Sequence, residues 1–98
     1  MRTMMMVSMG VEAANRAAKD GRLGKVVMAT QEKLKPEASY FTAINGKRTA
    51  FFVFDMTDSS QMPVIAEQLF QEMDAEIHMT PVMNTEDLKK GLAAAGMK

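Results

Sequence analysis

The sequence predicts an α+β fold with a four-stranded antiparallel sheet, in the order strand, helix, strand, strand, helix, strand, with one more helix at the end. Three observations predict this fold: a hairpin signal at Asn45-Gly46, helical periodicity on both sides of that hairpin, and alternating apolar stretches near both ends of the chain. A chain of 98 residues has room for one domain, residues 1–98, with a thin core.

Composition and charge exclude several classes of protein. The 12 basic residues balance the 12 acidic ones and are spread along the chain, which argues against nucleic-acid or anionic-membrane partners. The sequence has no cysteine and one histidine, so we expect no metal site and no cofactor. No apolar run approaches the roughly 18 residues of a membrane span. The apolar start is too short and too rich in methionine for a secretory signal, so we expect a cytoplasmic protein without a membrane partner.

The first third of the chain predicts a strand followed by a broken helix. Residues 3–9 form two alternating faces that are both mostly apolar, which is typical of a strand covered on both sides. From residue 10 the apolar spacing becomes helical, with a break or kink near Gly21 and Gly24. Pro36 ends this region because proline cannot continue a helix and disfavours helical angles in the residue before it.

The middle of the chain predicts a β-hairpin with strands at residues 38–44 and 47–56. The Asn-Gly pair between them tolerates the positive φ angles that a tight hairpin turn requires. The second strand is mostly apolar on both faces, so it also requires cover on both sides. Its two faces are Ala50, Phe52, Phe54 and Met56, which we assign to the helix-covered core, and Thr49, Phe51, Val53 and Asp55.

The last third predicts an amphipathic helix over residues 59–73 and a strand over residues 76–83, which Pro81 marks as an edge strand or as its end. Asp58 and Gln61 have the spacing of a capping box for this helix, with Ser59 or Ser60 as alternative caps. In the final helix, Thr85 is predicted to be the cap, Leu88, Leu92 and Ala95 the apolar line, and Gly96 the terminator.

This order of elements is the ferredoxin-like pattern. Right-handed crossovers then place the first and third strands at the centre of the sheet and the helices on one face. Because both central strands are apolar on both faces, the other face would expose phenylalanine and methionine, a patch that requires a partner. We therefore predict a homodimer in which two copies pack sheet on sheet, the dimeric α+β barrel, with Phe51 and Val53 at the interface.

Three segments of the chain also resemble a short bacterial family of unknown function within the dimeric α+β barrel superfamily. They are DGRLGKVVMATQEKLKPEASYFTAINGKRTAFF, PVIAEQLF and DAEIHMTPVMNTEDLKKG, with the motifs LGK at 23–25, KPEASYF at 35–41 and TPVMNTEDL at 80–88. The resemblance covers most of Asp20 to Gly91 and implies no particular reaction. The wider superfamily includes cofactor-free monooxygenases, lactone isomerases, dehydratases, haem-dependent chlorite-degrading enzymes and ligand sensors, so the fold constrains function weakly.

Three polar side chains are candidates for a ligand pocket: Tyr40, Arg48 and His78. His78 is the only group whose unperturbed pKa lies near neutrality, and the strand alternation places it on the open side of the sheet. Arg48 could hold a carboxylate through its planar guanidinium, and Tyr40 could orient a carbonyl or a phenol. Each also has a purely structural interpretation: a solvated polar residue on an edge strand for His78, a solvated hairpin end for Arg48, and a buried ring with a wet hydroxyl for Tyr40.

These observations leave two hypotheses for function. In the first, the homodimer is a binding or assembly module whose interior holds a small apolar ligand or is filled by side chains. In the second, it is a cofactor-independent monooxygenase or isomerase that acts on a small aromatic or polyketide-like compound. The second requires at least two of Tyr40, Arg48 and His78 to converge on one cavity, and whether the protein is an enzyme stays open at this point.

We predict that the purified protein contains neither metal nor haem, because it lacks cysteine and a lone imidazole is a poor basis for a metal site. Elemental analysis and haem reconstitution test this expectation. A stoichiometric metal, or a Soret band from haem held by His78, would contradict it.

Overall fold

The computed structural model describes residues 1–97 and shows an α+β fold with four antiparallel strands in one open sheet and four helices. This confirms the predicted α+β class and the four-stranded antiparallel sheet. The elements in chain order are β1 (Arg2–Ser8), α1 (Val11–Asp20), α2 (Arg22–Leu34), β2 (Ala38–Ile44), β3 (Lys47–Asp55), α3 (Gln61–Met73), β4 (Glu76–Pro81) and α4 (Thr85–Ala94).

The sheet has the order β2-β3-β1-β4, so β1 and β3 are central and β2 and β4 are the edges. All three neighbouring pairs are antiparallel. The hairpin turn between β2 and β3 lies where the sequence predicts it, with positive φ angles of 54° at Asn45 and 75° at Gly46. β4 ends at Pro81, which has no backbone N–H to continue a ladder.

The core lies on one face of the sheet, under α1, α2 and α3. Met5 and Val7 of β1 and Phe52 and Phe54 of β3 are buried there, and Phe52 is only 2% exposed. The assignment of the Phe52 face of β3 to the core is therefore confirmed. The helices contribute Ala14 and Ala17, Val26 and Leu34, and Ile65, Leu69 and Met73 to the same cluster.

The break in the first helical region lies at Gly21, which has a φ of 84° and separates α1 from α2. Gly24 lies inside α2, so the predicted break near that residue is wrong. The Asp20 carboxylate stabilises the junction by accepting hydrogen bonds from the Nε (2.9 Å) and the backbone N–H (3.0 Å) of Arg22. These hydrogen bonds lower the pKa of the Asp20 carboxyl below its usual value.

The predicted cap of α4 is wrong, and the predicted capping box of α3 does not form. Asn84, and not Thr85, caps α4: the Asn84 side-chain oxygen accepts from the backbone N–H of Asp87 (2.8 Å), and the Asp87 carboxylate accepts from the backbone N–H of Asn84 (3.1 Å). α3 begins at residue 61 and not 59, and Ser60, one of the predicted alternatives, occupies its N-cap position without a side-chain hydrogen bond. Asp58 Oδ1 accepts from the backbone N–H of Ser60 (3.2 Å), and the Gln61 side chain accepts from the backbone N–H of Thr57 (2.9 Å).

The last helix stands apart from the rest of the fold. α4 buries none of its residues and makes no extensive contact with another described helix or strand. The radius of gyration is 15.5 Å, against about 13 Å for a compact chain of this length. α4 therefore extends away from the core. Within residues 1–97, no helix is both long and apolar enough to cross a lipid bilayer.

We predict opposite effects for two glycine-to-alanine changes. A Cβ on Gly10 would lie 3.0 Å from the Asp74 Cβ and 3.2 Å from the Met73 carbonyl oxygen, because the Gly10 N–H donates to that oxygen at 2.9 Å. Gly10→Ala should therefore destabilise the fold by about 1–3 kcal/mol. Gly24→Ala, in open space on α2, should stabilise it by about 0.5–1 kcal/mol.

Urea denaturation followed by circular dichroism measures both changes at one protein concentration. Equal unfolding midpoints for the two variants would contradict the close approach of Gly10 to the end of α3.

Candidate functional site

The face of the sheet opposite α1–α3, which we call the open face, is the candidate functional surface. Because antiparallel cross-strand partners share a face, the register arranges its side chains in rows across the sheet. One row is Tyr40, Phe51, Met6 and His78, the next is Ala38, Val53, Met4 and Thr80, and a third is Thr42, Thr49, Ser8 and Glu76.

The middle of the open face is an apolar patch on the two central strands. Met4 and Met6 of β1 lie directly opposite Val53 and Phe51 of β3, and all four side chains are half-buried. Tyr40 extends the patch onto edge strand β2, where it is 69% exposed. Contiguous apolar surface of this kind typically marks an interaction site. Phe51 and Val53, the predicted interface residues, both lie in this patch.

The three predicted pocket residues do not come together in one chain. Tyr40 and His78 share the open face and one row, but they lie on opposite edges of the sheet, about 14 Å apart at three strand spacings. Arg48 lies on the helix side, where its Nη1 donates to the Asn15 Oδ1 of α1 at 2.8 Å. Within one chain, Tyr40 and His78 therefore share a face but are far apart, and Arg48 lies on the other face.

His78 instead lines a pocket of about 240 Å³ at the end of the open face next to the hairpin, which we call the hairpin-end pocket. Its lining combines apolar and polar side chains. The lining residues are Met6, Ser8, Ile44, Asn45, Lys47, Thr49, Glu76 and His78. Within it, the Lys47 Nζ lies 4.0 Å from the Glu76 Oε1, and the Thr49 hydroxyl donates to the Lys47 carbonyl oxygen at 3.1 Å.

The hairpin-end pocket combines an ammonium, a carboxylate, an imidazole and two hydroxyls beside apolar surface. Lys47 is half-buried, whereas Glu76 and His78 are exposed, so solvent weakens the ion pair between Lys47 and Glu76. This arrangement can bind a small molecule with an apolar body and a polar or anionic group. Four of the lining residues, Ser8, Lys47, Thr49 and Glu76, could not be predicted from the sequence, because their convergence depends on the register between strands.

A second, larger pocket of about 660 Å³ lies at the opposite end of the sheet, around Arg2. The Arg2 guanidinium is already occupied there by Glu37, at 2.7 Å, and by Asp87. The hydrogen bond to Glu37 is the main cause of the raised pKa of Arg2. These ion pairs connect β1 to the residue before β2 and to the first turn of α4, so Arg2 has a structural role here.

The described residues contain no group of three or more histidine, cysteine, aspartate or glutamate side chains placed to hold a metal ion.

Comparisons of the chain with protein-family models, with curated proteins and with solved structures gave no match. The small α+β fold with its four-stranded antiparallel sheet is compatible with the ferredoxin-like class. Membership of the dimeric α+β barrel superfamily stays a prediction from the sequence motifs.

Proposed function

We propose that the protein is a homodimeric ligand-binding module of the ferredoxin-like, dimeric α+β barrel type. In this arrangement two copies pack their open faces together and enclose a small, mainly apolar ligand or a core of side chains. The observation that supports the proposal best is the apolar patch of Met4, Met6, Phe51 and Val53, which lies on the two central strands and outside the chain's own core.

The energetics of the patch favour a second copy as the partner. Burial of apolar surface contributes roughly 25 cal/mol per Å² before the entropic cost of association is subtracted, and a two-fold axis forms every contact of the patch twice. The chain has no net charge, so two copies do not repel each other strongly. Phe51 and Met6 lie in the central strands, where a two-fold axis through the open face would bring them together with their counterparts.

The hairpin-end pocket supports ligand binding at the margin of this interface. The apolar lining residues Met6 and Ile44 would hold the body of the ligand, while Lys47 and His78 would face a polar or anionic group. A second open face placed over the pocket would exclude water and strengthen these polar contacts. The ligand class that this pocket fits is therefore a small apolar compound with one polar end.

The same pocket gives the alternative function its support. A cofactor-independent monooxygenase or isomerase acting on a small aromatic or polyketide-like compound needs a general base within hydrogen-bond reach of the substrate. His78 and Glu76, two residues apart on one face of β4, supply an imidazole and a carboxylate at the pocket. We favour the binding module because Tyr40 and Arg48 lie away from this pocket.

Phe51 and Phe52 test the proposed assembly as a matched pair, because they are neighbours on opposite faces of β3. Phe51→Asp should convert a dimer into a monomer, or give a species whose melting temperature rises with protein concentration. Phe52→Asp should leave the chain unfolded, since an unpaired charge in the core costs an amount comparable to the roughly 5–15 kcal/mol that stabilises a whole domain.

Light scattering and circular dichroism distinguish these outcomes. Val64→Asp, on an exposed position of α3, is the control and should stay folded and dimeric. A wild-type protein that is a stable monomer at micromolar concentration would overturn the proposed homodimer.

Lys47 tests the proposed ligand class. The dye 1-anilinonaphthalene-8-sulfonate has an apolar body and one anionic group, and we expect the folded dimer to bind it with a rise in fluorescence. Lys47→Met should weaken this binding about tenfold, which corresponds to about 1.4 kcal/mol. Lys25→Met removes an exposed lysine of α2 and should leave the Kd unchanged. Equal affinities for the two variants would place the dye, and the proposed ligand, elsewhere.

A further inference from the structure

Helix α4 has an apolar side without cover in its own chain. Leu88 is 44% exposed and Leu92 is 42% exposed, although both lie on the line of the helix that the sequence marks as apolar. The helix has 10 residues, and isolated helices shorter than about 12–15 residues are marginal in water. α4 therefore requires a surface to pack against.

An apolar groove of matching size lies between α3 and the edge strand β4. This α3–β4 groove has a volume of about 390 Å³, and its walls include Met62, Ala66, Glu67, Phe70, Ile77 and Met79. Met62 and Phe70, near its two ends, are 40% and 41% exposed. These two residues are separated by eight positions, or about 12 Å of helix, while α4 is about 15 Å long.

Contacts at the start of α4 direct it away from the groove of its own chain. The Asn84–Asp87 capping box fixes its first turn, and Asp87 also binds the Arg2 guanidinium. The Val82 N–H donates to the Arg2 carbonyl oxygen at 3.1 Å, which ties the preceding connection to β1. Each chain thus carries an uncovered helix and an unfilled groove at the same time.

We propose that α4 of one chain packs into the α3–β4 groove of a second copy, and that the two copies exchange these helices reciprocally. α3 contains two glutamates and no lysine or arginine, and Glu67 lies in the groove. On α4, Lys89 flanks the line of Leu88 and Leu92; it lies 3.7 Å from Glu86 of its own helix but stays exposed, so it would bring a positive charge beside the acidic groove. Exchange of an element between identical chains is a common route to a symmetric dimer.

The area of the open face supports the same occupant, so this inference rests on the proposed homodimer. Four strands about 4.8 Å apart and about 20 Å long present a projected area of roughly 400 Å². A stable interface buries about 800 Å² of accessible surface from each partner, and although accessible surface exceeds the flat projection because side chains protrude, the open face alone is small by this measure. An exchanged α4 adds a second contact region and moves the assembly toward that area.

Engineered cysteines test the exchange cleanly, because the chain has none of its own. The double variant Leu92→Cys/Phe70→Cys places one thiol on α4 and one in the groove, and a short bis-maleimide then links thiols that lie close together. We expect covalent dimers, seen as a doubled mass on a denaturing gel. Leu88→Cys/Met62→Cys is a second pair at exposed positions, in case the first pair disturbs folding.

Leu92→Cys/Val64→Cys is the matched control, since Val64 is exposed on α3 but does not line the groove. This pair should give far less covalent dimer. A groove pair that is linked within one chain would overturn the exchange, because α4 would then fill its own groove. Equal linking of groove and control pairs, or no linking, would overturn it too and assign α4 to another partner.

Light scattering of the unmodified protein separates the two proposals. A dimer whose groove pair does not link between chains would contradict the helix exchange alone. A monomer would contradict the homodimer and the exchange together.

Discussion

The structure depends on one geometric constraint: successive side chains of a strand point to opposite faces of the sheet. Phe51 and Phe52 must therefore lie on opposite sides of β3, and Met4 and Met5 on opposite sides of β1. Helices α1–α3 cover only one of these sides, so half of the apolar side chains of the central strands enter the core. The other half lie half-buried on the open face, where helices α1–α3 do not cover them, and the proposed second copy would supply their cover.

The same alternation explains which parts of the site could be predicted. The Asn45-Gly46 turn fixes the pairing of β2 with β3, so Tyr40 lies on the same face as Phe51 and opposite to that of Phe52. The face of His78 followed separately, from the alternation along β4. The turn did not fix which residues of β1 lie opposite β3 and β4, because those pairings join distant segments. The grouping of Ser8, Thr49 and Glu76 in one row depends on that register, and no local signal in the sequence reports it.

Arg48 shows why residue type alone is a weak guide to a site. It has the same parity along β3 as Phe52, so it lies on the helix side and bonds to Asn15. Lys47, one residue earlier, lies on the open face and lines the hairpin-end pocket. The helix caps failed for a related reason: Asn84 and Thr85 are both good capping residues, and the backbone angles that decide between them depend on how β4 ends.

Edge strand β4 connects the two uncovered surfaces of the chain. Its Ile77 and Met79 border the α3–β4 groove, while His78, between them, lines the hairpin-end pocket on the other face. If a second copy docks its α4 against Ile77 and Met79, it also fixes the backbone of His78, which lies between them. A ligand that binds only in the assembled pocket favours the dimer by mass action, and the dimer in turn favours the ligand. In the proposed assembly, partner binding and ligand binding are thus two linked equilibria that share one strand.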